Sequence, residues 1–278
     1  MLGAPLQQVQ FASVPSITCN RYPRLNTSAR STYCMASKPL AVISGVARTH
    51  GIGRECVRVF LEAGYRVLGL DVAPQEDPEL HHADFQFATA DISNVKQTEQ
   101  IAARVCNHGG LQVLINNAGI ADPFLPEGSE DKIKHWFKVI QINLTGAFLL
   151  SEALLPHMTP GKSSIIHMSS IRARQSEPHT EAYAAAKAGL VGLTHAQAVT
   201  LANKVRVNAV LPGWIYTESN RDDLTKKDHE WHPSGRVGMP SDVAQLCLFL
   251  ADESKAKFIT GQDFAIDGGV SKKLIYPE

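Results

Sequence analysis

Short apolar runs alternate with longer segments of helical period along most of this chain, and that alternation constrains its fold more than any other feature. Pro39 to Ser44 (PLAVIS) is the first such run, stopped by Gly45. Arg66 to Leu70 ends at Asp71, Phe85 to Ala90 at Asp91, and Leu111 to Ile115 at Asn116 and Asn117. Ser164 to Met168, Val205 to Leu211 and Asp263 to Ile266 complete the series. Continuous apolar runs of this length read as strands buried on both faces, the kind found in parallel sheets. Between them, Gly51–Ala63, Val95–Cys106, Asp131–Leu155, Glu181–Ala202 and Asp242–Ala251 read as helices, with Gly64 placed to end the first. Residues 214–239 read as polar and irregular. The pattern predicts one doubly wound α/β domain, a parallel sheet of about seven strands with helices on both faces.

That domain is expected over residues 39–278. The segment before it differs in kind. Residues 1–38 contain no Asp or Glu but carry Arg21, Arg24, Arg30 and Lys38 among Ser and Thr. Such N-termini resemble organellar transit peptides. A disordered extension, or a stretch upstream of a start at Met35, is the other reading. The expected location is therefore intracellular, either cytoplasmic or in a mitochondrion or plastid. Lys and Arg number 27, as do Asp and Glu. No global field points to nucleic acid or an anionic membrane. No apolar run approaches the roughly 20 residues that span a bilayer. The five cysteines form no CxxC pair and no cluster with metal-ligand spacing, so reduced thiols and no metal are expected.

In sheets of this kind ligands bind beyond the C-terminal ends of the strands. Those ends here carry Gly45, Asp71, Asp91, Asn116, the Ser169–Ser170 pair and the Pro212–Gly213 pair. The segment Gly45-Val-Ala-Arg48-Thr-His-Gly51-Ile52-Gly53 joins the first strand to the first helix. Its glycines let backbone approach a pyrophosphate at the helix N-terminus. With Asp71 closing the next strand, it makes a Rossmann-type dinucleotide site. A carboxylate at Asp71 accepts the ribose hydroxyls and repels a 2′-phosphate, which favours NAD over NADP. Arg48 is the counterweight, since it can reach such a phosphate.

Hydride transfer to a carbonyl leaves an oxygen that needs a proton. Tyr183 and Lys187 lie four apart in a helical stretch and so share a face. An ammonium beside the phenol is expected to lower its pKa from about 10. Ser170, thirteen residues before Tyr183, is placed to hold the substrate oxygen.

These residues, in this order, resemble the short-chain dehydrogenase/reductase family over about residues 39–270. The likeness is carried by Gly45…Gly51-Ile52-Gly53, Asp91-Ile92, Asn116-Asn117-Ala118-Gly119, Asn143 in QINLTG, Ser170, Tyr183-Ala-Ala-Ala-Lys187, and Pro212-Gly213 with Ile215 and Thr217 following. The resemblance implies that Tyr183 is the acid–base group, Lys187 its electrostatic partner and Ser170 the ligand of the substrate oxygen. It implies that Asn143 holds a water linking Lys187 to solvent. Asp91 and Ile92 would contact adenine, Asn116 to Gly119 would brace the sheet and line the nucleotide, and Thr217 would bind the carboxamide. One departure stands out. Five residues separate Gly45 from Gly51 where the family usually has three. That longer loop resembles the enoyl-[acyl carrier protein] reductase branch, which usually has six residues between its Tyr and Lys; here there are three.

The expected function is hydride transfer between NAD(H) and a small-molecule secondary alcohol or ketone. The alternatives are a 3-oxoacyl-[acyl carrier protein] reductase and a non-catalytic nucleotide sensor. His167 reads as a structural histidine within its strand. Arg172, Arg174 and His179 line either a substrate mouth suited to an acidic group or a solvated loop. Arg221 to His232 falls where the family carries a mobile lid, and Trp214 and Trp231 either cover the site or anchor that lid. Small outer positions at Ala184, Ala188, Gly192 and Ala196 suggest, by resemblance, helices that pair in a homodimer or homotetramer.

Overall fold

The computed structural model describes residues 38–74, 82–106, 108–120, 124, 131–217 and 224–274. The N-terminal extension and residues 218–223 at the start of the expected lid lie outside them. Seven parallel strands form one sheet in the order β3-β2-β1-β4-β5-β6-β7. They are β1 (Leu40–Ser44), β2 (Arg66–Asp71), β3 (Phe85–Thr89), β4 (Val113–Asn116), β5 (Ser163–Met168), β6 (Val205–Pro212) and β7 (Asp263–Ile266). The order runs outward in both directions from β1 and β4, so the loops above those two strands diverge and leave a crevice.

Strand alternation sorts the core into two layers. On β1, Leu40 and Val42 face α2 (Val95–Cys106), α4 (Gly146–Leu154) and α5 (Glu181–Thr200), through Ile101, Val105, Leu150, Leu154 and Ala198. Ala41 and Ile43 face the other side, where α1 (Ile52–Glu62) and α7 (Pro240–Ala251) pack Val57, Phe60, Val243 and Leu250 against the sheet. Burial on both faces explains why these strands read as unbroken apolar runs.

Three local features depart from the sequence reading. Strand β4 begins at Val113; Leu111 instead makes an isolated bridge with Met158. The expected helix over 131–155 is α3 (Lys132–Ile140), a π-helical turn over Gln141–Thr145, and then α4. Residues 214–239 include a short helix, α6 (Lys226–Trp231), started by a capping box between Thr225 and Asp228. The joined helix 132–157 is long and apolar enough to cross a membrane by length and composition, although no uninterrupted run in the sequence suggests it. Here Val139, Ala147, Leu150 and Leu154 are buried against the rest of the domain, as in a core helix.

Candidate active site

The loop after β1 owes its shape to contacts that leave no room for side chains. Gly45 has φ +77, and a Cβ there would lie 2.7 Å from the Ala118 Cα. A Cβ on Gly53 would lie 2.1 Å from the Gly45 carbonyl oxygen. The Asn117 amide donates to the carbonyls of Ser44 and Gly45, each at 3.0 Å. The Ser44 hydroxyl accepts the N–H groups of Asn117 and Ala118, both at 3.1 Å. The loops after β1 and β4 are thus clamped together at the switch point. Gly51 caps α1 and offers no side-chain bond to its first N–H groups, so that end remains available to an anion.

Asp71 ends β2 and accepts from Ala47 N–H of the glycine loop at 2.8 Å and from Ala73 N–H at 3.1 Å. Arg48 is exposed, and its carbonyl accepts from Gly51 N–H. Asp91 folds back on Ser93, accepting from its N–H and hydroxyl. Ile92 is buried against Gly146 at the start of α4. On the opposite side of the crevice, Gly213 follows β6 with its N–H on the Ile266 carbonyl. Ile215 is buried and bridges Gly238, and Thr217 lies two residues beyond it.

The reactive groups converge where β5 ends. The Tyr183 phenol, the Ser170 hydroxyl and the Arg172 charge lie close enough to act on one another. Burial pushes the Tyr183 pKa up, while the hydrogen bond with Ser170 and the positive charge of Arg172 pull the other way. The Lys187 ammonium lies 5.4 Å from the Tyr183 ring centre and donates to the Met168 carbonyl at 2.8 Å. Burial lowers its own pKa to about 8. The net direction at Tyr183 is therefore upward, where the sequence leads us to expect a lowered value. Burial outweighs the countering groups, and the ammonium is turned onto a main-chain oxygen.

Asn143 turns both ends of its amide to one main-chain position. Its amide oxygen accepts from Ile120 N–H at 2.7 Å and its NH2 donates to the Ile120 carbonyl at 3.0 Å. Both ends of the side chain thus pin the loop just after Gly119. Asn143 lies within the π turn, where the switch from i−4 to i−5 bonding skips a carbonyl in the ladder.

Arg54 was not evident in the sequence, because its partners are main-chain atoms. Buried Arg54 donates to the Val46 carbonyl at 2.8 Å and to that of Ala47 at 3.2 Å, holding the glycine loop from inside α1. Ser169 donates to the Lys187 carbonyl at 2.7 Å, fixing α5 to the end of β5. Asn116 and His167 belong to a buried chain. The Asn116 NH2 donates to Ser151 at 2.9 Å and to His167 Nδ1 at 3.2 Å. His167 Nε2 then donates to Gln197 at 2.9 Å. Trp214 and Trp231 both pack on buried His232, with ring centres 6.1 and 5.1 Å away, so they anchor this segment. Arg174 pairs with Asp263 on β7, across the edge of the sheet.

A family model described as Enoyl-(Acyl carrier protein) reductase matches residues 45–271. An uncharacterized oxidoreductase of Thermotoga maritima is 37% identical over 88% of this chain and 100% of its own length. The 3-oxoacyl-[acyl-carrier-protein] reductase FabG of the same organism is 35% identical over 83% of this chain and 97% of its own. Among solved structures, an apo SCOR enzyme from Clostridium thermocellum is similar with TM-score 0.76 and 31% identity, covering 86% of this chain and 95% of that one. ElxO with NADP bound is similar with TM-score 0.75 and 30% identity, covering 85% and 100%. The fold, the site and these relatives define a nucleotide-binding oxidoreductase. The chain belongs to the short-chain dehydrogenase/reductase family, whose members bind NAD(P).

Proposed function

We propose that this chain transfers a hydride between NAD(H) and a secondary alcohol or ketone, with Tyr183 as its acid–base group. The observation that carries the reading is the convergence of Tyr183, Ser170 and Lys187 at the end of β5, on the same edge of the parallel sheet as the N-terminus of α1, which has no side-chain cap. Gly45, Gly51, Ile52 and Gly53 would hold the pyrophosphate of the nucleotide. Asp71 would hold its ribose, Asp91 and Ile92 its adenine, and Pro212, Gly213, Ile215 and Thr217 its nicotinamide end. The cofactor supplies or takes the hydride. Ser170 Oγ holds the substrate oxygen, and Tyr183 Oη gives or takes the proton at that oxygen. The Lys187 charge steadies the phenolate form. A main-chain carbonyl of the π turn, rather than the Asn143 amide, receives the water that returns the proton to solvent. Tyr183→Phe tests this reading, and full turnover in that variant would overturn it.

NAD is proposed over NADP because the Asp71 carboxylate closes β2 beside Ala47 N–H, where a 2′-phosphate would meet its charge. A fluorescence titration with NADH and NADPH decides the point. Tighter NADPH binding would mean that Arg48 dominates. A second reading is reduction of 3-oxoacyl chains on acyl carrier protein, favoured by the FabG relative. A 3-oxoacyl thioester turned over far faster than simple ketones would select it. Self-association is proposed through α3, α4 and α5. Ile133 and Phe137 are 67% and 65% exposed, and Trp136, Phe148 and Ala188 are also exposed on these helices.

A further inference from the structure

Arg172 carries a buried donor that the described residues leave unused. It lies in the short 3-10 turn Ile171–Ala173, immediately after Ser170, and its main-chain N–H donates to Ser170 Oγ at 3.2 Å. Its guanidinium lies over the Phe124 ring, 5.8 Å from the centre. Its Nη2 donates to Glu177 at 2.7 Å. Its Nη1 is buried and has no hydrogen-bond partner.

A charged donor kept from water without a partner is unfavourable, and native chains retain one where something else completes it. Phe124 and Glu177 hold the guanidinium in place beforehand, so a ligand need not order it. The Glu177 side chain is 55% exposed, so that pairing is screened by water and does little to cancel the charge on the buried side. The neighbouring Arg174 differs, being committed to Asp263. The buried Nη1 suits one carboxylate oxygen; a phosphate dianion would ask for more donors than Nη1 offers.

Resting on the reading of Ser170 and Tyr183 as the pair that holds the reacting oxygen, we propose that Arg172 Nη1 is an anion subsite of the same pocket. The substrate is then an alcohol or ketone that also carries a carboxylate. Ser170 and Tyr183 take the reacting oxygen, and Arg172 takes the carboxylate and sets the orientation between them.

Benzoate and its neutral counterpart benzamide test this without turnover, by calorimetric titration into the full-length protein with and without NADH. Benzoate is expected to bind about 10-fold or more tightly than benzamide, the scale of a charge-assisted hydrogen bond. Arg172→Gln removes that difference, with circular dichroism confirming the fold. Glu177→Gln removes the competing anion and strengthens benzoate binding a few-fold. Equal affinity for the two probes, no measurable benzoate binding, or a preference that survives Arg172→Gln overturns the proposal. The two readings fail separately. Turnover retained by Tyr183→Phe removes the dehydrogenase mechanism, whereas equal probe binding removes the subsite alone.

Discussion

Lys187 directs its ammonium at the main-chain carbonyl of Met168, 2.8 Å away, two residues before Ser170. A buried ammonium is costly to desolvate, and one hydrogen bond recovers only part of that cost. Lys187→Met is expected to stabilise the chain by about 1–2 kcal/mol near neutral pH while abolishing turnover. Denaturant unfolding alongside steady-state kinetics checks both halves. A variant that is less stable would show that the bond to Met168 outweighs desolvation.

Tyr183→Phe keeps the ring and removes the hydroxyl. Turnover should fall by about 10³-fold or more, on the scale of a lost acid–base group together with lost orientation. NADH affinity, read by tryptophan energy transfer, should change by less than about 3-fold, since the hydroxyl is one contact among many.

His167 is fully buried, and burial lowers its pKa from 6.5 to about 4. The Asn116 NH2 donates to Nδ1, which fixes the neutral tautomer. Above pH 6.5 neither the folded nor the unfolded chain protonates this ring appreciably. Between 6.5 and 4 the unfolded chain takes a proton that the folded chain refuses. Stability therefore falls as pH drops through that window, by about 3 kcal/mol in all from this residue. Urea unfolding at several pH values should show the slope, and His167→Gln should flatten it. An unchanged slope in that variant would assign the acid sensitivity elsewhere.

Gly53→Ala places a methyl group 2.1 Å from the Gly45 carbonyl oxygen, a backbone atom that cannot swing aside. The loop must open, at about 2 kcal/mol or more, and its N–H groups lose their aim. Thermal melting should report the loss of stability and NADH titration a large loss of affinity. Wild-type binding in this variant would mean that the loop takes another course when nucleotide is bound.

Phe137 is the most direct probe of self-association. Phe137→Glu should shift the chain to a smaller species in light scattering coupled to size exclusion, with little change in melting temperature, because the side chain is already exposed. A wild-type monomer would remove this interface altogether.

The central strands were legible because they are buried on both faces: Leu40–Ser44 is buried throughout and Arg66–Asp71 at every position but its two ends. The edge strands Phe85–Thr89 and Asp263–Ile266 are only partly buried. The nucleotide loop was legible because Gly45, Gly51 and Gly53 answer to local geometry, and the Tyr183–Lys187 pair because helical period places them on one face. The π turn over Gln141–Thr145 was not. It rests on the Asn143 amide meeting Ile120, a contact 23 residues distant with no periodic signature. Arg54 was equally silent, since main-chain carbonyls, its acceptors, exist at every position. The direction of the Tyr183 pKa also escaped the sequence. Spacing puts an ammonium near the phenol, but only packing decides how much water is left there and which way the ammonium turns.

The sequence by itself determined the order of strands and helices, the end of the sheet where a ligand binds and the residue types gathered there. These follow from short-range periodicity and from strand polarity. The tertiary structure alone decided which donors are already spent and which remain: Asn143 given to Ile120, Lys187 to Met168, Nη2 of Arg172 to Glu177 and its Nη1 to nothing among the described residues. Hydrogen bonding between distant residues depends on burial and orientation, and neither is written in the order of the residues.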